Sequence, residues 1–584
     1  MADSKIITRL FFRLLPVQII LVAIGSINSI IDGMIAGKLI GAVALSVIGL
    51  YMPMLKLTDT VNAVIVGGSQ IMCGQFLGKG ELNKTSKVFS LDIVVTVIFS
   101  LLVSLLTLVI PAPIGKVLGA NSETLSGITE YLRAMSFGIT GTMLASQLSV
   151  FLQLEQQEKR TYIGIGAMAV SNIALNVLFV KALGMGIFGL GLSTSISSWL
   201  FCIIQATYYF TGKAAIRFSL KGLDFSYLKE MIRIGIPGAV VQLCLTVRGL
   251  ALNTMIVRFA GNNALSAFSA VGTFGSVYYA ATAGVASATR LLVSVYYGEE
   301  DRAGLVLIMK TALYKGIALV SAVAALSIAL AVPFTSIFYT DASSEVYRLT
   351  LQYFRIFPLS MPFSAFCVIF NNYYQCTDHI KMVNVLSVMD GAAGVVMSAL
   401  MLAPFIGAMG IWLSQVLNGV YTLIAVYVYT VTVNKRFPTS VEEMLIMPDS
   451  FGASENDRLD ISIKSSEDVI NTYVRVIDFC KTHGVSSKHS FYSGLCIEEM
   501  AGNIVQHGFK AGKNGSIDIR VVHKNNSILI RFKDTCKPFD PKEFSKLFMP
   551  DDVTKNIGIR MISRISTEMD YNYVLGLNVL TITI

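Results

Sequence analysis

Apolar residues dominate the first three quarters of the chain and gather in long runs. Residues 1 to about 432 divide into roughly twelve such runs, each near the ~20 residues that a helix needs to cross a ~30 Å hydrocarbon layer. After Glu455, polar and apolar residues alternate as they do in a globular domain. The pattern therefore predicts a membrane body over 1–432, a linker over 433–454 and a separate tail over 455–584.

The basic residues predict how the body is oriented. We expect crossings near 14–36, 44–72, 88–110, 129–154, 162–182, 187–210, 234–257, 264–292, 309–332, 350–375, 382–404 and 408–431. Loops on one side hold Lys79, Lys84, Lys87, Lys159, Arg160, Lys213, Arg217, Lys221, Lys229, Arg302 and Lys435, whereas the other side holds scattered residues such as Lys38, Lys116, Lys181, Arg258 and Arg348. By the positive-inside tendency, both termini and the tail are expected to face the cytoplasm.

Composition fits an integral membrane protein of the lipid bilayer and excludes a soluble enzyme. The 584 residues are 54% hydrophobic and 14% charged, with a mean hydropathy of +0.64. The net charge of +9 follows from the basic loops, so it predicts no nucleic-acid partner. The eight cysteines show no C-x-x-C spacing, which indicates neither a zinc site nor a disulfide framework.

The membrane body repeats itself. "MGIFGLGLS" at 185–193 returns as "IGAMGIWLS" at 406–414, and "YLRAMSF" at 131 returns as "YFRIFPL" at 353, with an offset close to 221. Parallel repeats of this kind predict two pseudo-symmetric six-helix bundles, here lobes 8–212 and 228–432, with the substrate route between them. We therefore expect transport by rocking of one lobe against the other.

One carboxylate stands out within the predicted membrane helices. Asp32 lies about two thirds along the first apolar helix, where a charge costs several kcal/mol unless it is protonated, ion-bound or paired. Asn28 lies one helical turn earlier on the same face. Asp32 is therefore a candidate functional residue on physical grounds.

Four further charges lie inside predicted crossings and leave two interpretations open. Lys56 and Asp59 are three residues apart on the second helix, while Arg248 and Asp390 lie in the seventh and eleventh. They can form a polar network that binds substrate or ion. Alternatively, Lys56 and Asp59 neutralise each other, and Arg248 pairs with Asp390 to hold two helices together.

Several stretches of the body carry a family resemblance. They are Pro16, "SIIDGMIAGKLIGAVALSVIGLYMP" at 29–53, "GGSQIMCGQFLGKGELNKTSKV" at 67–88 and "SNIALNVLFV" at 171–180. Over about 8–432 the chain resembles the multidrug and toxic compound extrusion (MATE) transporters, most closely their prokaryotic branch. The resemblance implies a cation-coupled antiporter that exports small organic, often cationic, compounds.

The same resemblance assigns residues to ion coupling. By it Asp32 is the coupling acid of the first helix, and Asn172 and Asn176 occupy the places of an Asn-x-x-x-Asp pair of the family. The second acid of that pair is an amide here. An amide can offer a carbonyl oxygen to sodium or hydrogen-bond a protonated Asp32, but it cannot take up a proton itself. Proton and sodium thus both stay open as the coupling ion.

The tail predicts a two-layer α/β domain with a nucleotide site. "LDISIK", "SIDIRVV", "SILIRFK" and two final segments read as strands, and 466–483, 489–509 and 557–567 as helices. Within the second helix, Glu499 and Asn503 are one turn apart, which suits a magnesium ion held through the amide and a water held through the carboxylate.

The tail resembles the histidine-kinase-like ATPases, most closely the anti-sigma-factor serine kinases. "FKDTCKPFDP" at 532–541, "PDDVTKNIGIRMI" at 550–562 and "NVLTITI" at 578–584 follow Glu499 in the family's order. The resemblance implies magnesium-ATP as cofactor, with the following assignments: Glu499 as base, Asn503 as magnesium ligand, Asp534 as adenine acceptor, Gly558 at the phosphates and Thr581 as a pocket-wall hydroxyl. Cys536 and Asn556 stand where the family has glycine, which predicts weakened ATP binding.

We therefore expect an antiporter of the cytoplasmic membrane that ATP regulates. The chain has no G-x-x-x-x-G-K-[ST] motif, so ATP is not expected to drive transport. The tail would instead bind ATP or phosphorylate a cytoplasmic partner protein on Ser or Thr. Two alternatives remain: a membrane-anchored signalling kinase with a transporter-like sensor, and a lipid-linked saccharide flippase.

Overall fold

The membrane body is built from long helices joined by short loops. The computed structural model describes residues 3–212, 214–448, 451–453, 456–509, 516–524, 527–546 and 557–584. The helices of the body and linker are α1 (Asp3–Ile35), α2 (Ala42–Gly78), α3 (Leu82–Val109), α4 (Pro111–Val117), α5 (Leu125–Leu154), α6 (Glu158–Asn176), α7 (Gly186–Ala206), α8 (Ser226–Gly298), α9 (Arg302–Lys310), α10 (Ile317–Ala329), α11 (Ala331–Phe338), α12 (Glu345–Ile356), α13 (Met361–Cys376), α14 (Ile380–Val388), α15 (Gly394–Ile406), α16 (Ala408–Asn434) and α17 (Val441–Met444). Short π-helical turns at Ala36–Ile40, Val177–Ala182, Thr311–Gly316 and Met389–Ala393 continue α1, α6, α9 and α14.

These helices agree with the predicted crossings. Across the described residues, nine helical segments are long and apolar enough to span a membrane. The other predicted crossings fall on α1, α2 and the second part of α8. The span α8 is interrupted at Gly261, whose backbone is not helical (φ 81°, ψ 179°), so it consists of two helices, each of which forms one crossing. The mostly helical class predicted for the body is confirmed.

The backbone of the loops confirms the internal repeat. Residues with positive φ recur at the interval of the sequence repeat: Gly41 and Gly261 (123° and 81°), Gly80 and Glu300 (80° and 53°), Gln156 and Asp378 (57° and 63°), Gly186 and Gly407 (56° and 55°), and Gly212 and Lys435 (71° and 57°). Left-handed backbone is uncommon outside glycine, so its recurrence at paired positions shows that the two lobes share loop geometry.

The two lobes meet along α2 and α8 near one end of the body. A Cβ added to Gly68 of α2 would collide with the backbone of Met231, and one added to Gly298 of α8 would collide with the backbone of Gln75. Further along α2, nothing lies within 4 Å of a Cβ added to Gly49. The lobes are thus pressed together at the end of the body where α2 and α8 terminate. We call this end the docking face, because the tail packs on it.

The tail is a five-stranded antiparallel sheet with helices on one side. Its elements are β1 (Arg458–Ile463), α18 (Ser466–Thr482), α19 (Ser487–Asn503), β2 (Ile517–Lys524), β3 (Ser527–Asp534), α20 (Pro541–Lys546), α21 (Ile557–Ile565), β4 (Glu568–Val574) and β5 (Leu577–Thr583), with strand order β1-β2-β3-β5-β4. Alternate residues such as Ile519, Ile530 and Phe532 face the helices and form the core of the tail. The α/β class predicted for the tail is confirmed.

The other face of the sheet and the linker pack on the body. Leu575 and Val579 of the tail, with Val441 and Leu445 of the linker, belong to the same buried apolar cluster as the body helices. The linker is therefore a packed segment over its described part. All eight cysteines are free thiols.

Candidate functional site

Asp32 lies at the centre of a buried hydrogen-bond network in the first lobe. Its Oδ1 accepts from the Asn176 amide at 2.8 Å, and its Oδ2 accepts from the Thr194 hydroxyl at 3.1 Å. Asn176 also donates to Asn172 at 3.1 Å, and Asn172 donates to Thr194 at 3.2 Å. The Ser193 hydroxyl donates to the Asn176 carbonyl oxygen through a short contact. Both oxygens of Asp32 are therefore met by neutral donors rather than by a cation.

Three helices build this network. Asp32 lies near the end of α1, Asn172 and Asn176 lie one turn apart on α6, and Thr194 lies on α7. Asn172 and Asn176 are 1% and 0% exposed, so neither amide can be satisfied by bulk solvent. The side chain of Asn28, also expected here, lies outside the described residues. Thr194 was missed by the sequence reasoning, since a threonine in an apolar helix gives no distinctive signal.

The other intramembrane charges form two separate groups. Lys56 and Asp59 make an ion pair at 3.8 Å on α2. Arg248 donates to the backbone carbonyl of Asp390 at 3.3 Å, while the Asp390 carboxylate accepts from the amide of Asn418 at 2.9 Å. One of the two expectations was a pair between Arg248 and the Asp390 carboxylate. The hydrogen bond of Arg248 goes instead to the backbone carbonyl of Asp390.

Asp92 of α3 is a buried acid that the sequence reasoning missed. It is 0% exposed, and neither of its oxygens makes a hydrogen bond of good geometry within the described chain, although Ser69 of α2 faces it. An acidic residue within an apolar run was the available signal.

The residues predicted to bind nucleotide converge on the helix side of the tail sheet. Glu499 and Asn503 lie on α19, and Asp534 ends β3. Gly558 lies at the start of α21 directly against Glu499, because a Cβ added there would collide with the Glu499 carboxylate. Burial raises the pKa of Glu499 above its usual range, and the neighbouring Glu498 raises it further. A raised pKa suits a carboxylate that accepts a proton near neutral pH.

Asp534 is fixed by neighbours at the end of the sheet. It is 3% exposed, and its Oδ1 accepts from the Cys536 backbone amide at 2.8 Å and from the Asn578 side chain at 2.7 Å. The Tyr571 hydroxyl in turn donates to Asn578 at 2.7 Å. Asn578 is directly opposite Asp534 in the β3–β5 pairing. This partner was missed, because cross-strand register is not visible in a single sequence.

Thr581 and Cys536 are the remaining described residues of the predicted nucleotide pocket. Thr581 pairs with Arg531 and, by strand alternation, points to the opposite face of the sheet from Asp534. It lines a cavity between the tail and the body and therefore does not fit a role in the nucleotide pocket. The Cys536 sulfur would lie 2.9 Å from a Cβ on Gly508, so this side chain fills space beside the end of α19. Asn556 lies outside the described residues.

The donor set fits a magnesium-nucleotide in part. A buried carboxylate at the end of the central strand β3, an acid and an amide one turn apart on α19, and a glycine against the acid lie on one side of the tail. The described residues hold no cluster of three or more His, Cys, Asp or Glu that would bind a metal alone, so a magnesium ion would also need phosphate and water oxygens. Bound ATP would supply a phosphoryl group, and Glu499 would orient the group that receives it.

Comparisons with known proteins match both parts of the chain. The MatE family profile matches residues 19–178 and 237–400, and that of the histidine kinase-like ATPase domain matches 466–584. The multidrug export protein MepA of Staphylococcus saprophyticus is 26% identical over 251 residues, which are 42% of this chain and 55% of MepA. MepA of Staphylococcus aureus strain MSSA476 is 25% identical over the same length. The chain thus spans about half the length of these curated relatives.

A solved structure shares the fold of the body. It is described as the outward-facing conformation of a multidrug resistance MATE family transporter of the MOP superfamily. It superimposes with a TM-score of 0.68 over 72% of this chain and 95% of that chain, at 19% identity. At this identity the likeness shows the fold.

Proposed function

Because this chain belongs to the MatE family and carries a histidine kinase-like ATPase domain, we propose that it is a cation-coupled antiporter regulated through its tail. It exports small organic, cationic compounds across the cytoplasmic membrane by alternating access. The observation that carries this proposal is the buried Asp32 network, in which both oxygens of a carboxylate within a membrane helix accept from neutral donors.

The network explains how one ion can be coupled to transport. Asp32 can take up a proton, or it can hold a sodium ion if the amides of Asn172 and Asn176 rotate to present their carbonyl oxygens. Either event removes a net charge from the apolar interior of the lobe. Since the free energy of burying that charge is large, occupancy of Asp32 can bias the packing of α1 against α6 and α7.

The orientation follows from the charges near the docking face. Lys79 and Arg302 flank the loops on which the tail packs, and Lys159 lies in the first turn of α6. Positive residues concentrate in cytoplasmic loops. The tail would therefore lie in the cytoplasm, where ATP is available.

The tail regulates the antiporter and does not drive it. Glu499, Asn503, Asp534 and Gly558 offer a nucleotide pocket without a P-loop, and they lie on the side of the sheet away from the body. Nucleotide can therefore bind while the tail stays docked. Phosphorylation of a cytoplasmic partner protein on Ser or Thr is a second activity that this pocket would support.

Transport in sealed vesicles tests the proposal. Purified full-length protein would be reconstituted, and efflux of a fluorescent organic cation would be followed with a proton gradient, a sodium gradient or neither, each with and without magnesium-ATP on the tail side. We expect efflux with one of the ion gradients and a change in its rate with ATP. Efflux that requires ATP hydrolysis while the gradient persists would contradict the assignment.

A further inference from the structure

The tail contacts the second lobe through a buried group of charges. The loop between α8 and α9 carries Glu299, Glu300 and Asp301, whose partners lie on β2 and β3. The closest pairs are Lys533 to Glu299 at 2.6 Å, Lys524 to Glu300 at 2.8 Å, Arg531 to Glu299 at 3.6 Å, Lys533 to Asp301 at 3.7 Å, and Arg520 to Asp301 in direct contact. The side chains of Glu299, Asp301 and Lys533 are 5%, 4% and 9% exposed, so the centre of this contact excludes water, whereas the Lys524–Glu300 pair at its margin is half exposed.

The tail contacts the first lobe mainly through the β4–β5 hairpin. Leu575 at its tip is 2% exposed and packs with the apolar core of the body. Gly576 lies against the side chain of Gln156 in the α5–α6 loop, and Asn572 lies against Gly80 in the α2–α3 loop. We call this contact, with its apolar tip at Leu575, the hairpin seat, and the contact of β2 and β3 with Glu299, Glu300 and Asp301 the ionic seat.

The two seats are related by the internal repeat. Gly80 and Glu300 are one of the pairs of left-handed residues that recur at the repeat interval. They follow α2 and α8, the helices through which the lobes touch at the docking face. Gly78 of α2 lies against the backbone of Val295, and Gly298 of α8 lies against that of Gln75. The tail therefore holds the ends of both helices that close this side of the body.

We propose that the docked tail is a clamp that keeps the two lobes together at the docking face. The proposal rests on the proposed alternating-access function and names the means of its regulation. While both seats are occupied, the lobes cannot separate on this side. The cycle therefore requires the tail to leave one seat.

The ionic seat is the one that opens. When Lys533 and Glu299 separate, each charge regains hydration, which offsets much of the lost attraction. When Leu575 leaves its place, apolar surface is exposed with no such compensation. The tail should therefore stay on the first lobe and release the second.

Crosslinking each seat separately tests this order in the full-length chain. In a background with the eight native cysteines replaced, Glu300→Cys with Lys524→Cys would be joined by a short bis-maleimide. A matched pair, Lys79→Cys with Asn572→Cys, lines the same cavity and joins the tail to the first lobe. We expect the first crosslink to lower efflux at least tenfold and the second to change it less than twofold. Full efflux with the first crosslink complete would overturn the proposal.

A distance measurement separates the clamp from the proposed transport activity. Spin labels at Lys159→Cys and Lys381→Cys, exposed positions in the first turns of α6 and α14 at the repeat interval, would report lobe separation without any substrate. Glu299→Lys and Lys533→Glu should each lengthen the distance distribution, and the double charge swap should shorten it again in part, because Arg531 and Asp301 then each face a like charge. Glu81→Lys is the matched control, since Glu81 pairs with Lys84 in the first lobe.

Failure of the transport proposal and failure of the clamp proposal can be told apart. Absent efflux in the uncrosslinked protein would defeat the transport proposal and leave the distances to decide on the clamp. Distances unchanged by both single reversals would defeat the clamp even where efflux is normal.

Discussion

Asp32 is a carboxylate surrounded by neutral donors. Asn176 and Thr194 each donate to one of its oxygens, and no ion pair involves it among the described residues. A neutral amide at this position can preserve most of these contacts, because it has the same shape and one acceptor oxygen. What it cannot do is gain or lose a proton.

Asp32→Asn should therefore leave the fold intact and abolish gradient-driven efflux. We expect the free energy of unfolding to change by no more than about 1 kcal/mol, since only one hydrogen bond must rearrange. Asp59→Asn, which removes an acid from the half-exposed pair with Lys56, is the control and should keep most of the activity. Efflux at the wild-type rate in Asp32→Asn vesicles would show that coupling lies elsewhere.

Cys536 lies beside Asp534 at the predicted nucleotide site, where the resembling family has glycine. Its sulfur approaches Gly508, and burial, together with the charge and hydrogen bond of Asp534, raises the pKa of the thiol to about 12. The thiol is therefore an inert filler at neutral pH.

Cys536→Gly should tighten magnesium-ATP binding to the full-length protein. Removing the side chain opens space beside Asp534, and we expect a gain of about 1 kcal/mol, or roughly fivefold in Kd. Titration with a fluorescent ATP analogue measures it. Cys480→Ala, a buried change on α18, is the control, and equal effects of both substitutions would mean that Cys536 does not limit binding.

At the scale of elements, β3 links the predicted nucleotide site to the body. Lys533 points to the docked loop and Asp534 to the helix side, because consecutive residues of a strand face opposite ways. A shift of β3 caused by nucleotide would therefore reach the ionic seat without an intermediate element.

The β4–β5 hairpin depends on glycine at its turn. Gly576 has φ 73°, and a Cβ there would also collide with Gln156. Gly576→Ala should weaken the hairpin seat by about 1–2 kcal/mol through backbone strain and this clash. Faster limited proteolysis of the tail would show it. Gln156→Ala should restore part of the loss, since it removes the clash and leaves the strain; no rescue at all would assign the whole effect to φ.

Elements were predictable from the sequence where their residues repeat a strong pattern. The apolar runs placed the crossings, and "CIEEMAGNIVQHG" placed α19 with Glu499 and Asn503 on it. Contacts between elements were not predictable. The Thr194–Asp32 bond, the register that sets Asn578 beside Asp534 and the outward direction of Thr581 each depend on how separate segments pack. The nucleotide and ion-coupling assignments stay predictions.

At the scale of the whole molecule, docking depends on carboxylates that stay ionised. Burial acts to raise the pKa of Asp301, but the ion pairs with Arg520 and Lys533 outweigh it and hold that pKa well below its usual value of 3.8. Because the pKa of this carboxyl is lowered in the docked state, the ionised carboxylate stabilises docking at every pH above its usual pKa. The contribution is lost only as pH falls toward the lowered one.

Docking should therefore be insensitive to pH between about 8 and 5. The label distance between Lys159→Cys and Lys381→Cys measures this, with Glu299→Lys as the undocked reference. A lengthening within this range would mean that a group other than Asp301 controls the seat.

The similar backbone of the α2–α3 and α8–α9 loops bears on the orientation of the tail on the body. Gly80 and Glu300 give two landing sites of similar backbone shape, related by the pseudo-twofold axis of the body. Shape alone would allow a rotated placement of the tail. The charges of the two loops differ: Lys79 and Glu81 lie on one, and three consecutive acids lie on the other. The three consecutive acids therefore favour the observed orientation of the tail, and transplanting them to the first lobe would favour the rotated placement.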